Sequence, residues 1–331
     1  MKHEKSPVIM AKASGDTMPK SIQDYTPILS LLSTARLGAV QGTFNVQPGL
    51  ETYGFSLWLQ NAAASLYPLM QQLELVLRNS IDKAARQRFQ DKWWDKIKYD
   101  TTKDNHSKFI NCIREAESTL KKRWKEKEAA RLGLASSKLV TTQPPAFDHD
   151  DIIATTTFST WESVLLEALH TDDNSEKNDY LWPLSLSKAF RRLNLIDNKP
   201  IEARRKLINM LKEIRDYRNR LFHHDCIWIK SKTVDAQTAI ESIREKINLI
   251  EKIIRAISPI TCNALNAWGM FENARRICST SELAIYTNLD YETIKDEDLK
   301  VLNKIFERTN GGRSSVPMYV GDDSCVFYKI R

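Results

Sequence analysis

Between Arg218 and His224 the chain reads Arg-Asn-Arg-Leu-Phe-His-His, a guanidinium and an amide followed closely by two imidazoles. Arginine is a permanent cation that can fork onto a phosphate. Histidine exchanges its proton near neutral pH. Together they suffice for cutting RNA without a metal: an imidazole moves protons while a guanidinium holds the charge that builds on phosphorus. For two histidines taken alone, a helix C-terminus where imidazoles meet unpaired carbonyls is the plainer setting. Asp225 could tune an imidazole or cap the chain end.

The elements that must position these groups read as helices. Across 201–224, Leu207, Leu211, Ile214 and Leu221 recur three or four apart, and Arg218 falls in register with them. A guanidinium on an apolar stripe is costly to bury unless partners satisfy it. Arg218 is therefore expected to face a polar cleft, an interface or a carboxylate such as Glu74. Over five residues an unbroken helix turns about 500°, which leaves His223 roughly 140° away from Arg218. Either the helix ends within 219–222 and folds the histidines back, or the pair acts across a dimer seam. Upstream, between Phe55 and Phe89, Leu66, Met70, Leu73 and Leu77 line one helix face. Glu74 and Arg78 lie four apart there and can meet as a surface ion pair.

Another helix over 108–132 gathers Lys121, Lys122, Arg123 and Lys125 around Trp124, with Trp93-Trp94 upstream. Cations interleaved with aromatics can grip a phosphate backbone and stack on bases. A solvated face partly neutralised by Glu126 and Glu128 explains the run as well. Arg78 is grouped with these RNA-binding candidates, and Lys212, Arg215 and Arg220 could guide RNA or be ordinary surface cations. In 238–257, Ile240, Ile243, Ile247, Ile250, Ile254 and Ile257 make a ridge built to pack. Residues 133–160 read as a long loop, from Gly133 through Pro144-Pro145. It ends in Asp148-His149-Asp150-Asp151, which fits the acidic cap of a following helix better than a metal site. Thr160 to His170 then reads as helix. Beyond Pro259 the pattern weakens until two short β-rich runs flank Gly321-Asp322-Asp323 and suggest a hairpin.

The chain has 331 residues, 42% of them hydrophobic, with only 10 glycines and 11 prolines, so a real and mainly helical core is expected. A formal charge of +7 leans mildly towards an anionic partner. The five cysteines are scattered without a Cys-x-x-Cys pair, which disfavours a disulfide framework or zinc site and fits a reducing cytosol. The N-terminus lacks a signal peptide's apolar core, and no segment approaches the roughly twenty apolar residues of a membrane span. A cytoplasmic protein without cofactor, metal or membrane partner is the expectation. Its parts are a loose leader over 1–20, a helical domain over 21–275 and a C-terminal extension over 276–331.

Arg218-Asn219 with His223-His224 resembles the Arg-x(4–6)-His signature of HEPN ribonucleases and, more narrowly, the Abi-like family of bacterial abortive-infection proteins. Leu73-Glu74-Leu75-Val76-Leu77-Arg78-Asn79 is similar to that family's Leu-Glu-x-x-Leu-Arg-Asn element. Thr157-Phe158-Ser159-Thr160-Trp161 is a looser match, with Ser159 where the family has glycine. The resemblance spans residues 50 to 270. It implies an all-α, HEPN-like helical bundle with additional helices and a small C-terminal α/β extension, paired as a homodimer. The implied activity is a metal-independent endoribonuclease used as a toxin or phage-defence effector and held in check by an antitoxin or a small RNA. In that scheme His223 takes the proton from a ribose 2′-hydroxyl and Arg218 stabilises the phosphorus centre. His224 or the partner subunit's His223 assists the leaving oxygen, Asn219 orients the site and Glu74 positions Arg218. Two other readings stand beside it: a HEPN module that holds RNA without cutting it, and a helical interaction protein assembled through the isoleucine ridge.

Overall fold

A computed structural model describes residues 24–32, 34–135, 143–223, 226–228, 235–287, 315–320 and 323–328. The chain enters through α1 (Thr26–Leu29) and α2 (Thr34–Phe44), then runs into a 40-residue helix, α3 (Leu50–Phe89). At 1.5 Å per residue α3 is about 60 Å long. Its buried face carries Leu66, Leu69, Met70, Leu73, Leu77 and Ile81, the three-to-four spacing of a helix packed along one side. Pro68 sits inside it and withholds one backbone donor without ending the helix. Gln90 and Lys92, both at positive φ, turn the chain away.

Next come α4 (Lys108–Arg131), α5 (His149–Thr155), α6 (Phe158–Ser163) and α7 (Leu186–Ala189), and then α8 (Pro200–Phe222) and α9 (Ala236–Ile257). Pro200 opens α8, where its missing N–H costs nothing. Asp235 caps α9 through a bond from the Thr238 N–H at 2.7 Å. The α9 isoleucines all lie inside, packed against α3 and α8 among others. The ridge is thus the molecule's own core, which removes the basis for an interaction protein assembled through it. Both tryptophans at 93 and 94 are buried too: Trp93 stacks on Phe109 at 5.2 Å and Trp94 on His149 at 4.9 Å. They are core residues, so base stacking on them is ruled out in this fold.

Three further helices follow where the pattern weakened: α10 (Pro259–Ala267), α11 (Met270–Ile277) and α12 (Thr280–Thr287). A Cβ on Gly54 would come within 1.9 Å of the Tyr286 carbonyl oxygen, so α12 crosses α3 where only glycine fits. The first compact unit accordingly runs to Thr287, past the boundary expected at residue 275. The expected helix over Thr160–His170 is instead α6, ending at Ser163, and a separate 3-10 turn over Glu167–Leu169. The expected loop over 133–160 holds α5 and the start of α6, with 136–142 outside the described residues.

The second unit, 288–331, is described only in its hairpin. β1 (Ser315–Val320) pairs antiparallel with β2 (Asp323–Tyr328), Ser315 opposite Tyr328 and Val320 opposite Asp323. The leader over 1–20 lies outside the described residues.

Candidate nucleic-acid site

Glu74 and Arg78 occupy successive turns of α3, and Arg218 reaches them from α8. Leu73 and Leu77 anchor the α3 face, while Leu211, Ile214 and Tyr217 anchor α8. Arg218 follows the last buried residue of its stripe and emerges half-exposed beside Glu74, with Nη2 at 3.9 Å from Oε2. The carboxylate expected opposite Arg218 is therefore there. The Glu74–Arg78 pair is not: the side-chain bond of Arg78 runs to its neighbour, from Nε to Asn79 Oδ1 at 3.2 Å.

Around this pair lies an open groove of about 290 Å³, with Tyr67, Met70, Gln71 and Leu75 of α3 and Phe222 of α8 completing its walls. The Arg218 guanidinium stands 4.8 Å above the Phe222 ring, within cation–π range. Tyr67 meets Phe222 edge-on at 5.5 Å, and Gln71 donates to the Tyr67 hydroxyl at 3.2 Å. Two guanidinium groups against one carboxylate leave the groove cationic. A planar fork in a half-exposed, aromatic-walled groove is suited to a phosphate beside a base or ribose.

Helix α8 stops at Phe222. His223 is its C-cap, exposed, with its backbone N–H donating to the Asn219 carbonyl at 3.0 Å. The helix therefore ends where the first of the two arrangements required, yet His223 is not among the residues lining the groove. The Asn219 side chain is exposed. His224 and Asp225 lie outside the described residues.

Two of the expected RNA guides are committed elsewhere. Arg215 clamps both oxygens of the buried Glu162, at 2.9 and 2.6 Å, and also bonds Asp216. Arg220 donates to the carbonyls of Cys226 and Trp228, at 2.6 Å for the latter, and holds the chain beyond α8. Arg215 is bound through Nη1 to Glu162 and through Nε and Nη2 to Asp216, and Arg220 through Nε and Nη2 to backbone carbonyls; both are held by internal acceptors, and neither lines the groove. Lys121, Lys122 and Arg123 are exposed and Lys125 half-buried on α4, which packs on α5 and α6; none of the four lines the groove.

The acidic stretch before α5 is structural. Asp148 accepts from the Asp151 N–H at 2.7 Å as the helix cap, and Asp150 pairs with Arg86 at 2.9 Å. His149 is buried; its Nδ1 accepts from the Lys92 N–H at 2.9 Å. The hydrogen is therefore on Nε2, which donates to Asp82 Oδ1 at 2.8 Å. The Thr157–Trp161 segment likewise builds a helix start: the Thr157 N–H donates to Thr160 Oγ1 at 3.3 Å, and Trp161 Nε1 donates to Thr156 Oγ1 at 2.9 Å.

Set against known protein families, curated proteins and solved structures, the chain matches none of them.

The residues hidden from sequence reasoning are those whose partners are remote. Arg88 donates to the carbonyls of Lys177, Asn178, Tyr180 and Leu181 and to Ser185 Oγ, with no carboxylate to announce it. Burial lowers its affinity for a proton from the ordinary arginine value. Tyr217, next to Arg218, is buried with its hydroxyl unpartnered among the described residues, and burial pushes its phenol well above the ordinary tyrosine range. Tyr67 and Phe222, as groove walls, carried no signal beyond their type.

Proposed function

We propose that this protein is a metal-independent endoribonuclease of the HEPN kind, Abi-like in its bundle, that serves as an abortive-infection or toxin effector. The observation that carries the reading is the meeting of Glu74 and Arg218 at 3.9 Å. The two sequence patches that resemble the family, far apart along the chain, converge on one cationic groove. In this reading Arg218, held by Glu74 and Phe222, stabilises the negative charge that grows on phosphorus. His223 withdraws the 2′-hydroxyl proton, and that oxygen attacks the adjacent phosphorus. His224 or the partner subunit's His223 gives a proton to the departing 5′-oxygen. The products are a 2′,3′-cyclic phosphate and a 5′-hydroxyl. Because His223 stands outside the groove lining of its own chain, a two-fold pairing that brings it to the Arg218 of a second copy fits best. The same separation favours the second reading, a module that holds RNA without cutting it.

The test is incubation of end-labelled RNA with purified protein in EDTA, beside His223→Ala, with the product ends identified. Cyclic phosphate ends from the wild type and intact RNA from the folded variant support the enzyme. Retarded but uncut RNA in both supports the holding module.

A further inference from the structure

Helix α10 carries an apolar stripe on the wrong side. Its inner face packs on α9 through Cys262, which is fully buried, and through Asn266, bonded to Glu251 at 3.2 Å. Its outer face presents Ile260, Asn263, Ala264, Ala267 and, at the C-cap, Trp268, all exposed. That is the spacing of one helix face, turned to solvent. Ile260 is 83% exposed and Trp268 85%. Tryptophan is seldom left so bare on a soluble surface, and apolar surface of this kind marks contact with something.

Charge defines the something. Charged residues make up 27% of the chain, yet none occurs from Ala256 through Phe271. Cations stand at the edge of this neutral face. The backbone N–H groups of Arg191 and Arg192 donate to the carbonyls of Ile257 and Ala256 at 3.2 and 2.9 Å, which fixes both arginines at the corner where α9 turns into α10. Both are exposed, and neither guanidinium has an ion pair among the described residues. An aliphatic and an indole side chain protrude about 12 Å apart along a neutral helix, beside two unpaired arginines. This arrangement matches the interfacial layer of an anionic bilayer: indole and isoleucine enter the acyl boundary while guanidinium groups meet the headgroup phosphates. Other occupants fit less well. A second copy in two-fold contact would bring two such arginine pairs into one seam, with no carboxylate on the face to meet them. Single-stranded RNA could stack on Trp268, but Ile260 offers it nothing.

We propose that the α10 face, through Ile260 and Trp268 with Arg191 and Arg192, docks this protein reversibly onto an anionic lipid surface. No membrane-crossing helix is involved; among the described residues none is long and apolar enough. The proposal stands independently of RNA cleavage.

The experiment is flotation of the full-length protein with vesicles of phosphatidylcholine alone and of phosphatidylcholine mixed with phosphatidylglycerol. It is run for wild type, Ile260→Ser, Trp268→Ser, the double variant and an Arg191→Ser/Arg192→Ser variant. Circular dichroism checks that each is folded, and the two single substitutions on a solvent face stand in if the double variant fails. We expect the wild type to float with phosphatidylglycerol vesicles only. The Ile260/Trp268 variants, whose net charge is unchanged, should bind about tenfold more weakly or worse, and the arginine variant should weaken binding too. Wild type that does not float overturns the proposal. So does equal flotation of the double variant, which reduces the effect to a basic protein on an anionic surface. A wild-type dimer made monomeric by Trp268→Ser, or RNA retention lost in that variant without any vesicle binding, assigns the face to those partners instead and likewise overturns it.

Discussion

Glu74 and Arg218 are both partly exposed, and an ion pair in that setting contributes only about 0–1 kcal/mol to stability. Its value is in holding a guanidinium in one orientation. Glu74→Gln should therefore leave the denaturation midpoint nearly unchanged while reducing RNA cleavage about tenfold or more, the order lost when a charge-stabilising donor is loosened. The neighbouring pair behaves oppositely. Glu162 is buried and takes both of its oxygens to Arg215, so Glu162→Ala leaves that guanidinium with Asp216 alone and should cost about 1–3 kcal/mol in urea unfolding. A third carboxylate reports through pH. Burial alone would raise Glu251, but Arg275, Arg255 and Asn266 outweigh it and hold it below the ordinary glutamate value. Its stabilisation is complete above the unfolded value near pH ~4.3 and is lost as pH falls through the lower folded value. Glu251→Gln should melt earlier than wild type at neutral pH, with the gap closing in acid. Of these residues only the Arg218–Glu74 relation was legible in the sequence, because a guanidinium on an apolar stripe demands an acceptor. Arg215 and Arg220 read as RNA guides or surface cations: one has its partner 53 positions away and the other bonds carbonyls past its own helix end.

Long elements announced themselves and short ones did not. The stripes of α3, α8 and α9 repeat over many turns, and their observed ends lie within a few residues of the expected ones. Helices α10, α11 and α12 have nine, eight and eight residues, too few turns for periodicity to stand out, and α10 places apolar side chains on both faces. Their presence is fixed by tertiary contacts such as the crossing at Gly54. Gly54→Ala places a methyl against the Tyr286 backbone and should destabilise the protein by about 1–3 kcal/mol. The same change at Gly42, where a Cβ meets nothing within 4 Å, should be neutral or slightly stabilising. Thermal melts of the two variants side by side check the contrast.

For the whole molecule, the helical unit closes at Thr287, and its described core runs from Val40 to Leu283. A chain ending there should keep the cooperative melting transition of the full protein; loss of that transition would mean that residues 288–331 complete the core. All-helical character up to α9 and a C-terminal hairpin could be read in advance, because both depend on local periodicity. How α3 and α8 bring Glu74 to Arg218 could be expected only in outline, since it depends on where two long helices cross. The claim that the groove carries out transesterification is tested most directly with one short RNA and its counterpart bearing a single 2′-deoxy residue at the cleaved position. Both would be incubated in EDTA with wild type and with folded Arg218→Ala. Wild type should cut the all-ribose strand and leave the deoxy-substituted position intact, and the rate should fall about a hundredfold or more without Arg218. Cleavage at the deoxy position, or an undiminished rate in Arg218→Ala, would contradict it.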